Sequence, residues 1–211
     1  MKPKVLLLFS GGFDSTVLLH DLLKQGKDVH LLFVNYGQKP LREEMNFFTY
    51  WVDKYNLNYT TLEIPPIKWS NSTMFQHGNH NKAIDDDYIE MRNPIFLSYA
   101  SSLAESLGIP TIASALLWNS FKDTTPYFAK SFDAMLFNTG EMDLYSPYMY
   151  FKKKTEFGEY AIELLGEHVV NEILEHTISC NVPVDGKVCG ECHECKSIAE
   201  IKEKIIHNPL L

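Results

Sequence analysis

Six consecutive residues, Ser10-Gly11-Gly12-Phe13-Asp14-Ser15, put two glycines, two hydroxyls and a carboxylate on one short stretch. The glycines carry no Cβ, so a ligand can come close to the backbone there. An apolar run, Val5–Phe9, precedes the stretch, and Thr16–Leu23 follows it with apolar residues at helical spacing, so it reads as a strand-to-helix turn. Asp14 and Ser15 are expected to cap the helix. The free N–H groups and dipole of that helix end favour an anion, most often a phosphate. Two glycines alone would serve a plain strand-to-helix turn equally well. The chain has no G-x-x-x-x-G-K-[ST] string, so this is not a Walker loop.

The second concentration of chemistry is Cys180-x8-Cys189-x2-Cys192-x2-Cys195, which holds all four cysteines of the chain. Clustered thiols in a chain without a secretion signal point to a metal rather than disulfides. A tetrahedral four-sulfur zinc site satisfies them, and thiolates also hold iron–sulfur clusters. His193 is read as a bystander, because a fourth cysteine already completes the set.

The elements around these residues alternate. Strands are expected at 4–9, 29–34, 59–64, 111–116 and 142–145. Helices are expected at 14–25, 41–54, 92–107, 126–138, 153–165 and 168–176, with Gly26 and Gly108 as stops and Pro94 and Pro126 in first turns. Val29–Val34 is nearly continuous in apolar residues, as a parallel strand covered on both faces should be. The pattern implies an α/β fold, a doubly wound, mainly parallel sheet with helices on both faces and its ligand beyond the carboxyl ends of the strands. Residues 1–175 would form this domain and 176–211 a small zinc-binding knob packed on it. A long irregular stretch, 67–91, carries Asn71, Asn79, His80, Asn81 and Asp85–Asp87. The aspartates read as a solvated acidic turn or, functionally, as a metal or lid contact.

The chain has 211 residues, 45% of them hydrophobic and 22% charged, which suits one soluble globular unit. A net charge of −8 argues against broad nucleic-acid contact. No run approaches the length of a membrane span. Val5–Phe9 falls short of a signal-peptide core of about 7–15 residues. A cytoplasmic protein is expected.

The Ser10–Ser15 string resembles the PP-loop of the ATP pyrophosphatases, which split ATP into AMP and pyrophosphate and activate a substrate oxygen as an adenylate. Tyr36-Gly37-Gln38 after the second strand, Arg92-Asn93-Pro94 opening a helix, and Thr177-x-x-Cys180 with Cys189-Gly190-x-Cys192-x-x-Cys195 extend the likeness from about Lys4 to Ile201. Together they resemble the 7-cyano-7-deazaguanine synthase, or QueC, family. The resemblance implies that ATP adenylates 7-carboxy-7-deazaguanine, that ammonia displaces AMP to give an amide, and that a second ATP drives its dehydration to the nitrile. It implies an ATP site from Leu8, Phe9, Ser10, Gly11, Gly12, Phe13, Asp14, Ser15, Thr16, Val34, Tyr36, Gly37 and Gln38. Ser10, Asp14, Ser15 and a lysine after Pro147, Lys153 or its neighbour Lys154 and taken as Lys153, would be catalytic, with Mg²⁺ on the phosphates. Arg92, Asn93 and Asp123 would hold the substrate, and Cys180, Cys189, Cys192 and Cys195 would hold zinc, which the resemblance favours over an iron–sulfur cluster. The partners implied are the deazapurine carboxylate and ammonia, and the chain is compatible with a homodimer.

The likeness breaks at particular places. Family members carry a G-Y-P-D-C-R-like segment where this chain has Thr124-Thr125-Pro126-Tyr127-Phe128-Ala129. A basic residue and His usually follow Y-G-Q, where this chain has Lys39-Pro40-Leu41, and Ser114 stands where glycine is usual. The acceptor side is therefore expected to differ, with Tyr127–Ala129 beside the substrate pocket and Asn119, Lys122 or Asp123 compensating. A PP-loop enzyme that thiolates tRNA would need a catalytic cysteine by the ATP site and a basic surface. A regulatory module without turnover would have a degraded loop.

Overall fold

A computed structural model describes residues 2–75, 87–118 and 121–207. The expected Asn79, His80, Asn81, Asp85, Asp86 and Asn119 contacts lie outside the described residues. Five strands, β1 (Lys4–Leu8), β2 (Asp28–Asn35), β3 (Asn58–Glu63), β4 (Thr111–Ala113) and β5 (Asp143–Tyr145), form one sheet in the order β3-β2-β1-β4-β5. All four pairings are parallel, with Val5 opposite both Val29 and Thr111, and Ile112 opposite Leu144. The helices are α1 (Phe13–Lys24), α2 (Leu41–Tyr55), α3 (Arg92–Leu107), α4 (Pro126–Gly140), α5 (Lys154–Leu165), α6 (Glu167–Glu175) and α7 (His193–His207).

The period-two alternation of a strand sorts the core into two layers. Val5, Leu7, Leu31, Phe33 and Ala113 face α1, α2, α5, α6 and α7, where Val17, Trp51, Phe157, Ile173 and Ile201 pack on them. Leu6, Leu32, Val34 and Ile112 face α3 and α4, meeting Leu97, Ala100, Phe132 and Leu136. Each fully buried Leu or Phe contributes about 1.5–3 kcal/mol by leaving water, so these two layers fix the sheet between its helices. The chain order reverses beside β1: β2 and β3 add on one side and β4 and β5 on the other. A crevice therefore opens at the carboxyl ends of β1 and β4.

The strand-to-helix alternation matches the sequence reading, with one element unforeseen. Residues from 193 were expected as part of a metal knob, yet they form α7. Its Ile198, Ile201 and Ile205 pack on the layer containing α1 and α5. The approach of α7 to α5 depends on Gly158, where a Cβ would lie 2.6 Å from Ile201 Cγ1. No helix among the described residues is long and apolar enough to cross a membrane.

Candidate active site

The crevice is a cleft of about 580 Å³. Its floor is the end of β1 and the loop to α1, and Leu8, Phe9, Ser10, Gly12, Phe13, Asp14 and Ser15 line it. The loop is braced from within. Gly12 N–H donates to Ser10 Oγ (3.3 Å), Ser10 N–H donates to Ser15 Oγ (3.4 Å), and Ser15 Oγ donates to the Gly12 carbonyl (3.1 Å). Gly11 has φ +75°, and a Cβ there would meet the Glu44 carbonyl at 2.8 Å. That glycine serves the packing of the loop on α2, and Gly11, Thr16 and Gly37 do not line the cleft. Asp14 and Ser15 do not cap α1 as expected. Gly12 occupies the N-cap position, Ser15 turns to Ser10 and the Gly12 carbonyl, and Asp14 turns to a lysine.

That lysine is Lys154. Its Nζ lies 3.2 Å from Asp14 Oδ2 and also pairs with Glu194. Lys153, the residue taken from the sequence, borders the cleft but keeps its side chain 73% exposed, with Glu156 3.7 Å away. The reason is helical geometry: α5 starts at Lys154, so Lys153 is its N-cap and turns outward. Burial pushes the Asp14 carboxyl up to about 6 against the pull of Lys154. Burial would raise Glu194 too, but Lys154 and His193 overcome it and hold that carboxyl at about 2. Asp14 Oδ1 is buried without a hydrogen-bond partner, which fits a cation or ligand brought by a substrate.

The opposite wall comes from β2, α2 and α3. Gln38 ties the turn after β2, accepting from Tyr36 N–H (2.9 Å) and donating to the Val34 carbonyl (3.2 Å) and Glu44 Oε2 (2.7 Å). Burial pushes the Glu44 carboxyl up to about 7, against Gln38 and Arg92. Burial likewise carries the Tyr36 hydroxyl to about 12, although Arg92 bonds it. Burial opposes the Arg92 charge, yet Tyr36, Asp87 and Asp123 outweigh it and hold the cation firmly. Asp87 is buried and accepts from Asn181 Nδ2 at 2.7 Å. It is therefore no solvated turn.

Asp123 does not line the cleft. It is 5% exposed, its Oδ2 accepts Asn93 N–H (3.1 Å), and its carbonyl accepts Asn93 Nδ2 (3.2 Å). It caps the first turn of α3 from a neighbouring loop and so positions Arg92 and Asn93, both of which do line the cleft. Tyr127, Phe128 and Ala129 also lie off the cleft. They form the first turn of α4, capped by Thr125 Oγ1 accepting Phe128 N–H (3.2 Å), with Tyr127 79% exposed. The residues of that region that do reach the cleft are Phe121 and Thr124.

The four cysteine sulfurs lie within 4.8 Å of one another, and the Cys189 and Cys195 Sγ atoms are 3.8 Å apart. A tetrahedral ion with metal–sulfur bonds of about 2.3 Å requires sulfurs about 3.8 Å apart. All four thiols are free, and the cluster could hold a metal ion. His193 stands apart from the sulfurs: it borders the cleft with Nε2 3.2 Å from Glu194 Oε1.

Of the two lysines that the sequence offered after Pro147, the fold turns Lys154 inward and Lys153 outward. Glu194, Glu44 and Ser179 carry no such signal in the sequence. Glu194 was hidden by its cysteine neighbours, although an acid between two metal ligands is already held in place.

Comparison with known proteins accords with this geometry. A 4-thiouridine synthetase solved with RNA and bound ATP shares the fold over 99% of this chain and 52% of its own, with a TM-score of 0.52 and 16% identity. The 7-cyano-7-deazaguanine synthase 1 of Desulfitobacterium hafniense (strain Y51) is 29% identical over 96% of this chain and 94% of its own. The 7-cyano-7-deazaguanine synthase of Leptospira interrogans (strain Fiocruz L1-130) is 29% identical over 91% of this chain and 83% of its own. The family described as "Queuosine biosynthesis protein QueC" matches residues 4–202, and with that match running from β1 into α7 the chain belongs to the QueC family.

Proposed function

We propose that the protein is an ATP-dependent synthase that converts 7-carboxy-7-deazaguanine and ammonia to 7-cyano-7-deazaguanine. The observation that carries this reading is one cleft with the Ser10–Ser15 loop and Lys154 on one side and the half-buried Arg92 on the other. One side suits a triphosphate and the other a planar acid.

The chemistry runs in two rounds. The carboxylate oxygen attacks the α-phosphorus of ATP and releases pyrophosphate. Ammonia then attacks the acyl carbon, and the C–O bond to AMP breaks, leaving a primary amide. The amide oxygen attacks a second ATP and again releases pyrophosphate. Loss of AMP and two N–H protons leaves the nitrile. Two ATP molecules yield two AMP and two pyrophosphates. A carboxylate or amide oxygen leaves poorly on its own, and adenylation makes it a good leaving group.

The protein's part is position and charge. The start of α1 and the loop hydroxyls receive the phosphates. Lys154 neutralises the charge that builds on departing pyrophosphate. The unpartnered Asp14 oxygen would hold a Mg²⁺, which supplies further charge neutralisation when bound. Arg92, anchored by Tyr36 and Asp87, holds the substrate carboxylate against the α-phosphate. A zinc held by Cys180, Cys189, Cys192 and Cys195 is structural, because four sulfurs leave no open position.

Incubation with ATP, ammonia and 7-carboxy-7-deazaguanine should give AMP and the nitrile mass, and metal analysis should give one zinc per chain. AMP release only with a different carboxylate would move the reading to another acceptor. Iron with sulfide in place of zinc would overturn the metal assignment.

A further inference from the structure

The metal segment touches the Ser10–Ser15 loop at two places that the synthase chemistry does not use. Ile178 N–H donates to the Gly11 carbonyl at 3.2 Å. Ser179 Oγ accepts the Phe13 N–H at 3.2 Å, satisfying a backbone donor at the start of α1. The next residue is Cys180. From the other end of the segment, Glu194 lies between Cys192 and Cys195 and pairs with Lys154, which in turn pairs with Asp14. The loop is therefore held by one residue immediately before a cysteine ligand and by another enclosed between two.

The segment has little else to order it. Between His176 and Cys192 the described backbone forms no helix or strand, only an isolated bridge between Val184 and Lys187. Its buried apolar cluster is Ile178, Cys180 and Cys192. Where a segment has so small a core, binding of a metal is folding free energy for that segment.

We propose that Ser179 and Glu194 are positioning residues that couple metal occupancy of the four cysteines to nucleotide binding at the Ser10–Ser15 loop. With the metal in place, the segment holds the Phe13 N–H and Lys154 in the arrangement a triphosphate meets. Without it, both restraints are released. The coupling depends on the reading that the loop takes ATP.

Coupling between two sites is reciprocal, which gives two independent readouts. The non-hydrolysable analogue AMPCPP should bind the zinc-loaded protein about 5- to 150-fold more tightly than chelator-treated protein. On the zinc-loaded protein itself, saturating AMPCPP should slow zinc capture by a colorimetric chelator. In Ser179→Ala and Glu194→Ala the ratio of affinities with and without zinc should fall toward one, with Glu194→Gln intermediate because it keeps a hydrogen bond to Lys154. Glu191→Ala, at an exposed acid of the same cysteine loop, should keep the full ratio. A wild-type protein that binds AMPCPP equally well with and without zinc, or variants that keep the wild-type ratio, would overturn the coupling and leave the ATP reading standing. A zinc-loaded wild type that binds no adenine nucleotide would overturn both.

Discussion

On one side of the cleft, six consecutive residues make a loop whose serines brace one another across at most five positions. On the other, Tyr36, Asp87, Arg92 and the supporting Asp123 come from four separate segments and meet only in the folded chain. The first side is a local device, set by the residues between β1 and α1. The second is an assembly held by burial, in which Arg92 keeps its charge because three partners surround it. A local device keeps its internal bracing when the chain changes elsewhere, although the lysine that faces Asp14 and the hydroxyl that accepts the Phe13 N–H reach it from distant segments. An assembly fails when any one supporting residue is lost, even one that touches no substrate.

The largest effect expected from this contrast lies at the contact between the loop and α5. Asp14→Ala or Lys154→Ala should lower AMP formation by at least about 100-fold, the scale of losing one preorganised charge-stabilising group. Lys153→Ala should change it by less than about 2-fold, because an exposed N-cap side chain aimed at solvent has little to lose. Equal loss in both lysine variants would break the distinction between the two positions.

The sequence made the first side legible and the second only in part. Strand and helix periods, Gly26 and Gly108 as stops, and Pro126 in a first turn all follow from local preference, and those elements formed near their expected bounds. The cysteine spacing brought its sulfurs together for the same local reason. The role of Asp123 was not legible, because an acid in a loop is ordinarily exposed and nothing local shows that it reaches α3. Tyr127–Ala129 looked like pocket residues by their place in the chain, yet the capped turn at Thr125 aims them elsewhere. The α7 helix was legible and overlooked: Ile198, Ile201 and Ile205 repeat at helical spacing, but the cysteines before them drew the whole tail into one metal reading.

A second test probes the cost of burial in the wall. Glu44 titrates near 7 rather than at its ordinary 4.5, so between those values the folded protein binds more protons than the unfolded chain. Stability must then fall as pH rises from about 5 to 8, on the order of 1–3 kcal/mol. Glu44→Gln can still accept from Gln38 and should flatten that slope in urea unfolding. A slope unchanged by the substitution would assign the pH dependence to another group.

A smaller effect should follow from Asp123. Asp123→Ala removes the acceptor that caps α3 and should cost about 0.5–2 kcal/mol of stability. It should also raise KM for the acid substrate more than it lowers kcat, because Arg92 loses one of the groups holding it. A kcat loss with unchanged KM would place Asp123 in the chemistry and not beneath it.

The smallest effect separates position in the chain from position in space. Tyr127 stands where the related family carries polar residues, and on sequence it should bear on acceptor choice. In the fold it is 79% exposed on the first turn of α4 and borders no part of the cleft. Its truncation removes little buried surface, and the Thr125 cap on Phe128 N–H is a backbone contact that survives it. Tyr127→Ala should therefore leave kcat/KM for 7-carboxy-7-deazaguanine within about 2-fold and stability within about 0.5 kcal/mol, as for surface changes away from caps and cores. Phe121→Ala is the informative partner, because Phe121 lines the cleft and its ring lies 5.1 Å from that of Tyr88. A selective rise in KM for the acid, with KM for ATP unchanged, would place the acceptor boundary at Phe121. A Tyr127 variant that loses activity would return that boundary to the first turn of α4 and with it the expectation drawn from the sequence.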